Sequence, residues 1–536
     1  MAFSRLWNDL LQGLVPSHSA MVLVLLRCVL YYHMLLAAYR LSPLHPLHKF
    51  PGPRLAAASY LYEVWFDLVK GGQYTYEIKR LHDTYGPIVR INPAELHCND
   101  PHFADEVYAP SNRKRDKSHL YVSHLTGVNQ MSSFATTDHD LHRIRREPLR
   151  KKFSVAQVSK LEAEVHALAQ HLGDKILASS SVFDVQDAMS CLTSDVASLQ
   201  VFGEPFGFVV QQKGFHPNLK RASYAIFTTY FIFRWFQPLK WLFGHGGRWL
   251  ACLMPEEVAQ FQYLNDVEFP RKFQHAKAEH EAGIIKQRQT VLDVLLESNL
   301  PEQEKTAERI TGEFVAILLA GTETTSWTLT VLIFYILADK RVFTKLTEEL
   351  ENAVESPSQL PRWFELEQIP YLSAVIQEGL RLSYGVTQRL PRVPTQEDLV
   401  YKGSWVPAEF SHAPTCNSYT IPRGYAISMS NGMMHHNESV FPDSDLFLPD
   451  RWLNEDGSRR KSLDRYLMSF NRGSRICLGM NLAYCEIYLS LAVLVLRVLP
   501  HFKLYETTID DIRPTSDYFI PFPKKCSKGV RVVRKD

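Results

Sequence analysis

A cysteine set among glycines and arginines lies near the C-terminus, in the decapeptide Phe-Asn-Arg-Gly-Ser-Arg-Ile-Cys-Leu-Gly at 470–479. A run of helical character follows at 480–499, which places Cys477 at the mouth of a helix. Unpaired backbone N–H groups and the positive end of the helix dipole favour a thiolate there, and the thiolate is the form that binds iron. Gly473 permits a turn with positive φ, and Gly479 lets the helix approach a flat ligand. A lone cysteine between apolar residues is otherwise a small core side chain, so the surrounding pattern has to decide.

A second candidate site lies in the run 306–337, which has no proline and an apolar pattern of helical period. It contains the hexad Ala-Gly-Thr-Glu-Thr-Thr at 320–325, whose polar groups are costly in a buried helix. Small Ala320 leaves room for a small molecule, and the Thr324 hydroxyl can bond to the backbone one turn back. Glu323 supplies an acid. The alternative is an exposed helix bend.

Two further pairs have helical spacing. His142 and Arg146 are four residues apart and would share one helix face. Glu378 and Arg381 are three apart, which alone describes a common surface ion pair worth about 0.3 kcal/mol. Arg146 also belongs to a basic cluster, which is normally a solvated face. Such a cluster would also attract an acidic partner domain. Its members are Arg143, Arg145, Arg146, Arg150, Lys151 and Lys152.

These patterns together resemble the cytochrome P-450 family. The decapeptide is similar to the family's haem-thiolate signature, Phe-x-x-Gly-x-Arg-x-Cys-x-Gly, and the hexad to its Ala/Gly-Gly-x-Asp/Glu-Thr-Thr element. The resemblance implies that Cys477 is the axial metal ligand of haem b, iron protoporphyrin IX, and that its thiolate favours O–O cleavage. It also implies that Glu323 and Thr324 relay protons during oxygen activation.

The resemblance identifies other side chains around the cofactor. The family usually has Trp-x-x-x-Arg at the positions of His142 and Arg146, with both side chains on haem propionates. The departure is mild, because imidazole keeps a donor and arginine binds a carboxylate bidentately. The other implied cofactor-binding residues are Phe470, Arg475 and Gly479 of the decapeptide, and Arg392 after Pro391. The implied substrate pocket includes Ala316, Ala320, Val386 and Thr387.

The resemblance implies a third partner for Glu378 and Arg381. With Arg451 of the segment 447–452 they resemble the family's structural triad beneath the haem-binding loop. We assign this triad to folding and haem retention rather than to chemistry.

Residues 20–39 form a mostly apolar run of twenty residues that, as a helix, would be about 30 Å long and would span a bilayer core. Arg27 and His33 interrupt it, and a central arginine costs about 2.5–3.5 kcal/mol, so full spanning stays open. A buried helix or a cleaved signal peptide are the alternatives, but the proline-rich hinge at 43–54 favours an anchor. Basic residues after the run put the remaining chain in the cytosol. We expect a single-pass protein of the endoplasmic reticulum membrane with a cytosolic catalytic domain.

The composition excludes several classes of protein. The chain has 536 residues, 46% of them hydrophobic, and a net charge of +2, which supports a large core and gives no reason to expect a nucleic-acid partner. Its eight cysteines include no Cys-x-x-Cys pair, so neither zinc nor a disulfide framework is indicated. No linker or repeat divides the chain. We expect an N-terminal segment 1–42, the hinge 43–54 and one catalytic domain 55–536.

Local signals predict a helix over 55–85, strands at 88–91 and 95–98, and a loop over 117–137. The aromatic cluster from Tyr224 to Phe243, beside glycines at 244–247, resembles the family's mobile helix pair above the substrate channel. An aromatic loop at 517–522 is expected to return to the pocket. Residues 406–418 insert into an expected hairpin, either as a surface loop or as a gene-model artefact.

The expected fold is mainly α with small β-sheets, the P-450 fold behind a membrane anchor. The resemblance implies a haem-thiolate monooxygenase that oxidises a lipophilic small molecule with O2, using NADPH electrons delivered by a separate NADPH-cytochrome P-450 reductase. The stretches 85–93 and 380–385 look most like fungal members such as trichodiene oxygenase-like enzymes, which favours terpenoid or polyketide-type secondary metabolism. Two alternatives stay open: a reductase-independent haem-thiolate isomerase or dehydratase, and a non-enzymatic haem sensor. Substrate, regiochemistry and number of oxidation steps depend on the shape of the pocket.

Overall fold

The structure is a computed structural model that describes residues 18–211, 214–242, 256–284, 288–403 and 418–535. It is mainly helical with small sheets, as predicted. The longer α-helices are His18–Leu41, Tyr74–Tyr85, His139–Lys152, Glu162–Leu177, Val185–Phe202, Lys220–Thr228, Glu256–Tyr263, Phe269–Glu281, Ala307–Ala338, Lys340–Ala353, Pro370–Ser383 and Met480–Val493. The short α-helices are Arg54–Ala58, Leu61–Val64, Ala104–Val107, His119–Val122, Val155–Val158, Tyr230–Trp235, Val291–Glu297, Trp363–Leu366 and Asn431–His435. Residues 406–417 of the insert, and the cluster residues from Phe243 to Gly247, lie outside the described residues.

Within the described residues, the strands form four small sheets. The largest has five strands in the order Ile88–Asn92, Glu95–Cys98, Ala426–Ser428, Arg392–Pro394 and Arg115–Lys117. The three-stranded sheet joins Phe183–Asp184, Arg531–Arg534 and Phe502–Leu504. The two hairpins pair Leu399–Lys402 with Ser418–Ile421, and Ser516–Tyr518 with Ile520–Phe522. The first hairpin is the one in which the insert is predicted.

The helix Ala307–Ala338, called here the central helix, runs through the core. The Thr306 hydroxyl caps its start by accepting the N–H of Arg309 at 3.3 Å, and most of its residues are buried. Gly379 lets the helix Pro370–Ser383 cross it closely, because a Cβ on Gly379 would lie 2.3 Å from the Leu332 side chain. The prediction of one helix over 306–337 is therefore close to the observed bounds.

The prediction of one helix over 55–85 is wrong. The helix Leu61–Val64 continues as a π-helical turn, Trp65–Val69, and then stops before Tyr74–Tyr85 begins. Gly71 and Gly72 separate the two parts with φ of +71° and +72°, which is left-handed backbone that glycine adopts without strain. The two predicted strands are confirmed, with the first extending to Asn92. Within 117–137, beyond the strand Arg115–Lys117, only the short helix His119–Val122 and the 3₁₀ turn Gly127–Met131 interrupt the predicted loop.

The helix His18–Leu41 lies outside the packed core. Its segment Ser19–Leu41 is long and apolar enough to cross a membrane, and none of its most apolar window is buried against the rest of the chain. Ala307–Ala338 and Met480–His501 meet the same length and composition criteria, but 78% of each window is buried. The apolar surface of those two helices is therefore explained by the core, whereas that of the first is compatible with a membrane anchor.

Candidate active site

A cavity of ≈ 630 Å³ lies between the central helix and the segment 470–479, called here the cysteine loop. The predicted site residues that line it are Cys477, Phe470, Arg475, Gly479, His142, Arg146, Arg392, Glu323, Thr324, Ala316, Ala320 and Val386. Thr387 lies outside this lining, because its hydroxyl turns away and donates to Oδ1 of Asp517 at 2.8 Å. Residues that are far apart in the chain thus share one enclosed space.

The cysteine loop is shaped by its glycine and closed by its backbone. Gly473 has a φ of +67°, and a Cβ there would lie 2.1 Å from the carbonyl oxygen of Tyr108, so only glycine fits. The N–H of Cys477 donates to the carbonyl of Phe470 at 2.8 Å, and the helix Met480–Val493 follows directly. This arrangement places Cys477 before the first turn of a helix, as its sequence predicts.

The surroundings of Cys477 do not by themselves make it a thiolate. Burial raises the pKa of the thiol, whereas the backbone N–H of Gly479 and the charge of Arg146 lower it. Burial is the larger effect, so the pKa of the thiol is raised and the helix start alone does not produce the thiolate that the sequence predicts. A metal cation bound to the sulfur would favour loss of the proton, because a thiol that coordinates a metal does so as the thiolate.

Apart from His124, five basic side chains of the cavity lining lie close enough to one another to form a cluster: Lys117, His142, Arg146, Arg392 and Arg475. No described carboxylate lies within ion-pair distance of any of them. Burial and mutual repulsion lower the pKa of Arg475 to about 9, and burial, joined by neighbouring cations, lowers those of Lys117 and His142. Burial also lowers the pKa of Arg146 and Arg392.

Buried cations without counter-anions indicate that an anionic group belongs among them. Arg475 is held in place by the backbone carbonyls of Thr136 and Thr137, both at 2.7 Å, and its Nε has no described partner. Arg146 donates to the carbonyl of Ile476 at 2.5 Å, beside Cys477. A planar ligand with two carboxylates and a metal fits this set of donors, so the residues present are suited to haem.

The central helix contributes an alcohol, Thr324, and a buried acid, Glu323, to the cavity lining. The Thr324 hydroxyl donates to the carbonyl of Ala320 at 2.7 Å, one turn back, as the sequence predicts. Glu323 is buried, and its Oε1 accepts from the side-chain amide of Gln186 at 2.8 Å, whereas Oε2 has no partner among the described residues. Burial raises the pKa of Glu323 to about 8, so this acid carries a proton at neutral pH.

The structure brings Glu378, Arg381 and Arg451 together away from solvent. Glu378 accepts from Arg381 Nε and Nη2 at 2.9 and 2.8 Å and from Arg451 Nε at 3.1 Å. It also accepts the indole N–H of Trp452 at 2.8 Å and the backbone N–H of Leu448 at 2.9 Å. One carboxylate thus ties the helix Pro370–Ser383 to the segment 447–452, which agrees with a structural role.

Comparison with known proteins assigns the family. The Cytochrome P-450 family profile matches residues 53–521. The chain belongs to the cytochrome P-450 family. The cytochrome P-450 monooxygenase ppzE of Metarhizium majus is 40% identical, with 82% of this chain and 92% of that protein covered. Monooxygenase tpcC of Cochliobolus heterostrophus is 37% identical (94% and 95% covered), and conidiogenone synthase PchP450 of Penicillium rubens 35% identical (93% and 96%). The chain is thus an oxidoreductase that incorporates oxygen, and its family implies haem iron.

Aromatic rings form another part of this P-450's cavity wall. Phe519 stands at the tip of the hairpin 516–522 with a φ of +82°, and the Asp517 carboxylate holds it by accepting its N–H at 3.0 Å. Five rings lie within 6.1 Å of it, centroid to centroid: Tyr121, His124, Phe134, Phe227 and Tyr230. The predicted return of the aromatic loop 517–522 to the pocket is therefore confirmed.

Lys117 is a cavity residue of this P-450 that the sequence did not reveal. Its strand pairs with Arg392–Pro394 so that Lys117 lies opposite Arg392 in the register. That pairing joins segments far apart in the chain, and neither shows a motif that would have predicted it. The sheet register thus adds a fifth basic side chain to the four that the family pattern indicated.

Because the pKa of Glu323 is raised in the folded protein, we expect the free energy of unfolding to depend on pH. Its carboxyl ionises from about 4.5 in an unfolded chain but only near 8 in the folded one, so the folded state binds more protons between these values. This contribution to stability therefore falls as pH rises from about 4.5 to 8. We expect Glu323→Gln to gain thermal stability relative to wild type across this window and to show no further change below it.

Thermal unfolding of purified protein at several pH values measures this difference. Exposed Glu351 gives the matched control, and Glu351→Gln should follow the wild-type curve. A difference between Glu323→Gln and wild type that stays constant with pH would mean that Glu323 is ionised in the folded protein.

Proposed function

We propose that this P-450 is a haem-thiolate monooxygenase that hydroxylates or otherwise oxidises a lipophilic small molecule with O2 and NADPH-derived electrons. The observation that carries the proposal is a single cavity lined by Cys477, by Thr324 and by unpaired cations. The fungal relatives support a place in secondary-metabolite biosynthesis, and we propose a terpenoid or polyketide-type substrate. The apolar, aromatic wall favours a substrate of that kind.

Each cavity residue has a role in this proposal. Haem, when bound through Cys477, supplies the activation of O2. The arginines among the five basic side chains would bind and orient the propionates by charge-assisted hydrogen bonds, and the neutral imidazole of His142 would add an N–H donor. Glu323 holds a proton on the central helix, and the Thr324 oxygen, whose own hydrogen is donated to Ala320, offers its lone pairs to receive and pass on protons. The aromatic wall excludes water and orients the substrate.

The helix His139–Lys152 supports a docking role for an electron donor. Arg143, Arg150 and Lys151 are exposed on it, whereas Arg146 faces the cavity and Arg145 pairs with Glu304 at 2.7 Å. We propose that a separate NADPH-cytochrome P-450 reductase binds the exposed cations through acidic residues. The basic cluster is thus only partly a solvated face.

The membrane arrangement belongs to the same proposal. The exposed helix His18–Leu41 would anchor the chain once across the endoplasmic reticulum membrane, followed by the hinge 43–54 and a single cytosolic catalytic domain, 55–536. Exposed apolar side chains beyond the anchor, among them Trp65, Phe236 and Trp241, are suited to contact with the same membrane.

Removal of the Thr324 hydroxyl tests the proposed proton path. Thr324→Ala should lower the yield of oxidised product per NADPH by about tenfold or more, because proton delivery loses its last group, and peroxide should appear instead. NADPH consumption, peroxide and product are measured together in a reconstituted system. Thr324→Ser keeps the hydroxyl and should keep most of the coupling. Tight coupling in Thr324→Ala would refute the relay role.

Dependence on reductase separates the proposal from its alternatives. An isomerase or dehydratase would turn over its substrate without NADPH, and a haem sensor would form no product. We expect new oxygenated products only when the enzyme is expressed with a reductase, detected by untargeted analysis of host extracts. Turnover that persists without reductase would overturn the monooxygenase assignment.

A further inference from the structure

His124 places an imidazole ring on the aromatic part of the cavity wall, beside Tyr121 and Tyr230. It lines the cavity in the segment after the helix His119–Val122. Its ring lies 4.0 Å from that of Tyr230 and 6.0 Å from that of Phe519, centroid to centroid. A polar ring among aromatic neighbours is a candidate for orienting a substrate.

The hydrogen bond of His124 fixes its tautomer. Nδ1 lies 3.0 Å from the carbonyl oxygen of Tyr121. A carbonyl only accepts, so Nδ1 carries the hydrogen, and the other nitrogen, Nε2, has a lone pair if the ring is neutral. Among the described residues, the bond from Nδ1 is the only hydrogen bond of the ring, and none reaches Nε2. Nε2 is therefore a free acceptor.

The charges around His124 keep it neutral. Burial lowers the pKa of its imidazole well below the usual value, and the nearby cations Arg234, Lys240 and Lys117, from three other elements, lower it further. Arg234 is itself paired with Glu63 at 2.6 Å, and Lys240 donates to the Ser123 carbonyl at 2.8 Å. None of these groups favours a second proton on the ring.

A second acceptor on the wall is already occupied. Glu313 accepts the N–H and the hydroxyl of Ser133 at 2.7 and 3.0 Å, one on each carboxylate oxygen. Arg309 lies 2.6 Å from the same carboxylate. Glu313 is thus committed to fixing the loop before the helix His139–Lys152, whereas His124 keeps an acceptor for a ligand.

We propose that Nε2 of His124 accepts a hydrogen bond from a hydroxyl group of the substrate. The substrate class is then an apolar skeleton that already carries a hydroxyl, and His124 is a positioning residue that selects which C–H bond faces the oxidant. The reaction that supplies this substrate must be one that produces a hydroxyl, by oxygenation, by addition of water or by reduction of a carbonyl. The inference rests on the proposed function, since it needs a substrate in the haem cavity.

Ligands anchored at the haem iron test this without knowledge of the substrate. The probes are 1-alkylimidazoles from octyl to dodecyl that end in a methyl, a hydroxyl or a methoxy group, and their binding is followed by the Soret shift that iron coordination causes. A hydroxyl donates, whereas a methoxy group only accepts. At one or more chain lengths the hydroxyl probe should bind about three- to tenfold tighter than both others, the range expected of one neutral hydrogen bond.

Three variants assign the preference to His124. His124→Phe keeps a ring but removes the acceptor, and should abolish the preference. His124→Gln offers an amide oxygen and should retain part of it. Phe227→Leu alters the wall without touching an acceptor, and should leave the ratio of hydroxyl to methoxy affinity unchanged. The position of the Soret band and the melting temperature of each variant check that it folds and holds haem.

The outcomes are distinguishable. Equal binding of hydroxyl and methoxy probes, no preference at any chain length, or a preference that survives in His124→Phe would each overturn the inference while leaving the proposed function intact. A wild-type protein that takes up no haem, and so shows no Soret band, would overturn both.

Discussion

Cys477→Ala is expected to abolish the long-wavelength Soret band of the reduced carbonyl complex and to reduce monooxygenase turnover below detection. The cavity offers no other described cysteine: Cys98, Cys191, Cys485 and Cys526 do not line it. Without the sulfur, iron loses the electron donation that a thiolate provides. The measurement is the carbonyl difference spectrum, together with the haem content of the purified variant.

Cys526→Ala is the matched control, because Cys526 is exposed and lies outside the cavity lining. Its spectrum and activity should equal those of the wild type. An unchanged band in Cys477→Ala would show that another residue binds the metal, and the proposed function would then have no chemical basis.

Glu378→Ala should destabilise the protein strongly and reduce its retention of haem. The carboxylate accepts five hydrogen bonds, and its loss leaves Arg381, which is fully buried, without a counter-charge. Removal of one partner of a buried ion pair costs about 3–5 kcal/mol. Because Glu378 also fixes the segment 447–452 before the cysteine loop, we expect haem to be lost at lower denaturant concentration than in the wild type.

Denaturant titration followed by both far-UV circular dichroism and Soret absorbance measures the two effects. Glu351 on the neighbouring helix Lys340–Ala353 is exposed, and Glu351→Ala should change stability by no more than about 0.5 kcal/mol. If Glu378→Ala unfolded with the wild-type midpoint, the triad would not support the fold in the way proposed.

The parts of this site that could be predicted are those whose structure is determined by residues close together in the sequence. The central helix has an uninterrupted apolar period, and the cysteine loop has a motif in which each residue type has a local reason, such as the left-handed Gly473. The break within the predicted helix 55–85 also had a local signal, because the pair Gly71–Gly72 favours a turn. The prediction of one continuous helix gave that pair too little weight.

The parts that could not be predicted depend on contacts between distant segments. Gln186 meets Glu323 across 137 positions in the chain; its amide donor lowers the pKa of the acid, but burial by the surrounding elements raises it by more, so the acid keeps its proton. Lys117 enters the site only through strand pairing with Arg392. Thr387 sits beside Val386 in sequence, but Asp517 draws its hydroxyl out of the pocket. A single sequence does not show which distant residues will meet in the fold, because no local motif links the two partners of such a contact.

The buried arginines of the cavity, which have no counter-charge among the described residues, also bear on how the enzyme is made in a cell. A newly synthesised chain that closes around them before a counter-anion arrives must bring like charges together out of water. A dianionic cofactor removes that repulsion and stabilises the folded state by mass action. We therefore expect the supply of haem to limit the accumulation of folded enzyme, and feeding a haem precursor to an expression host should raise its yield.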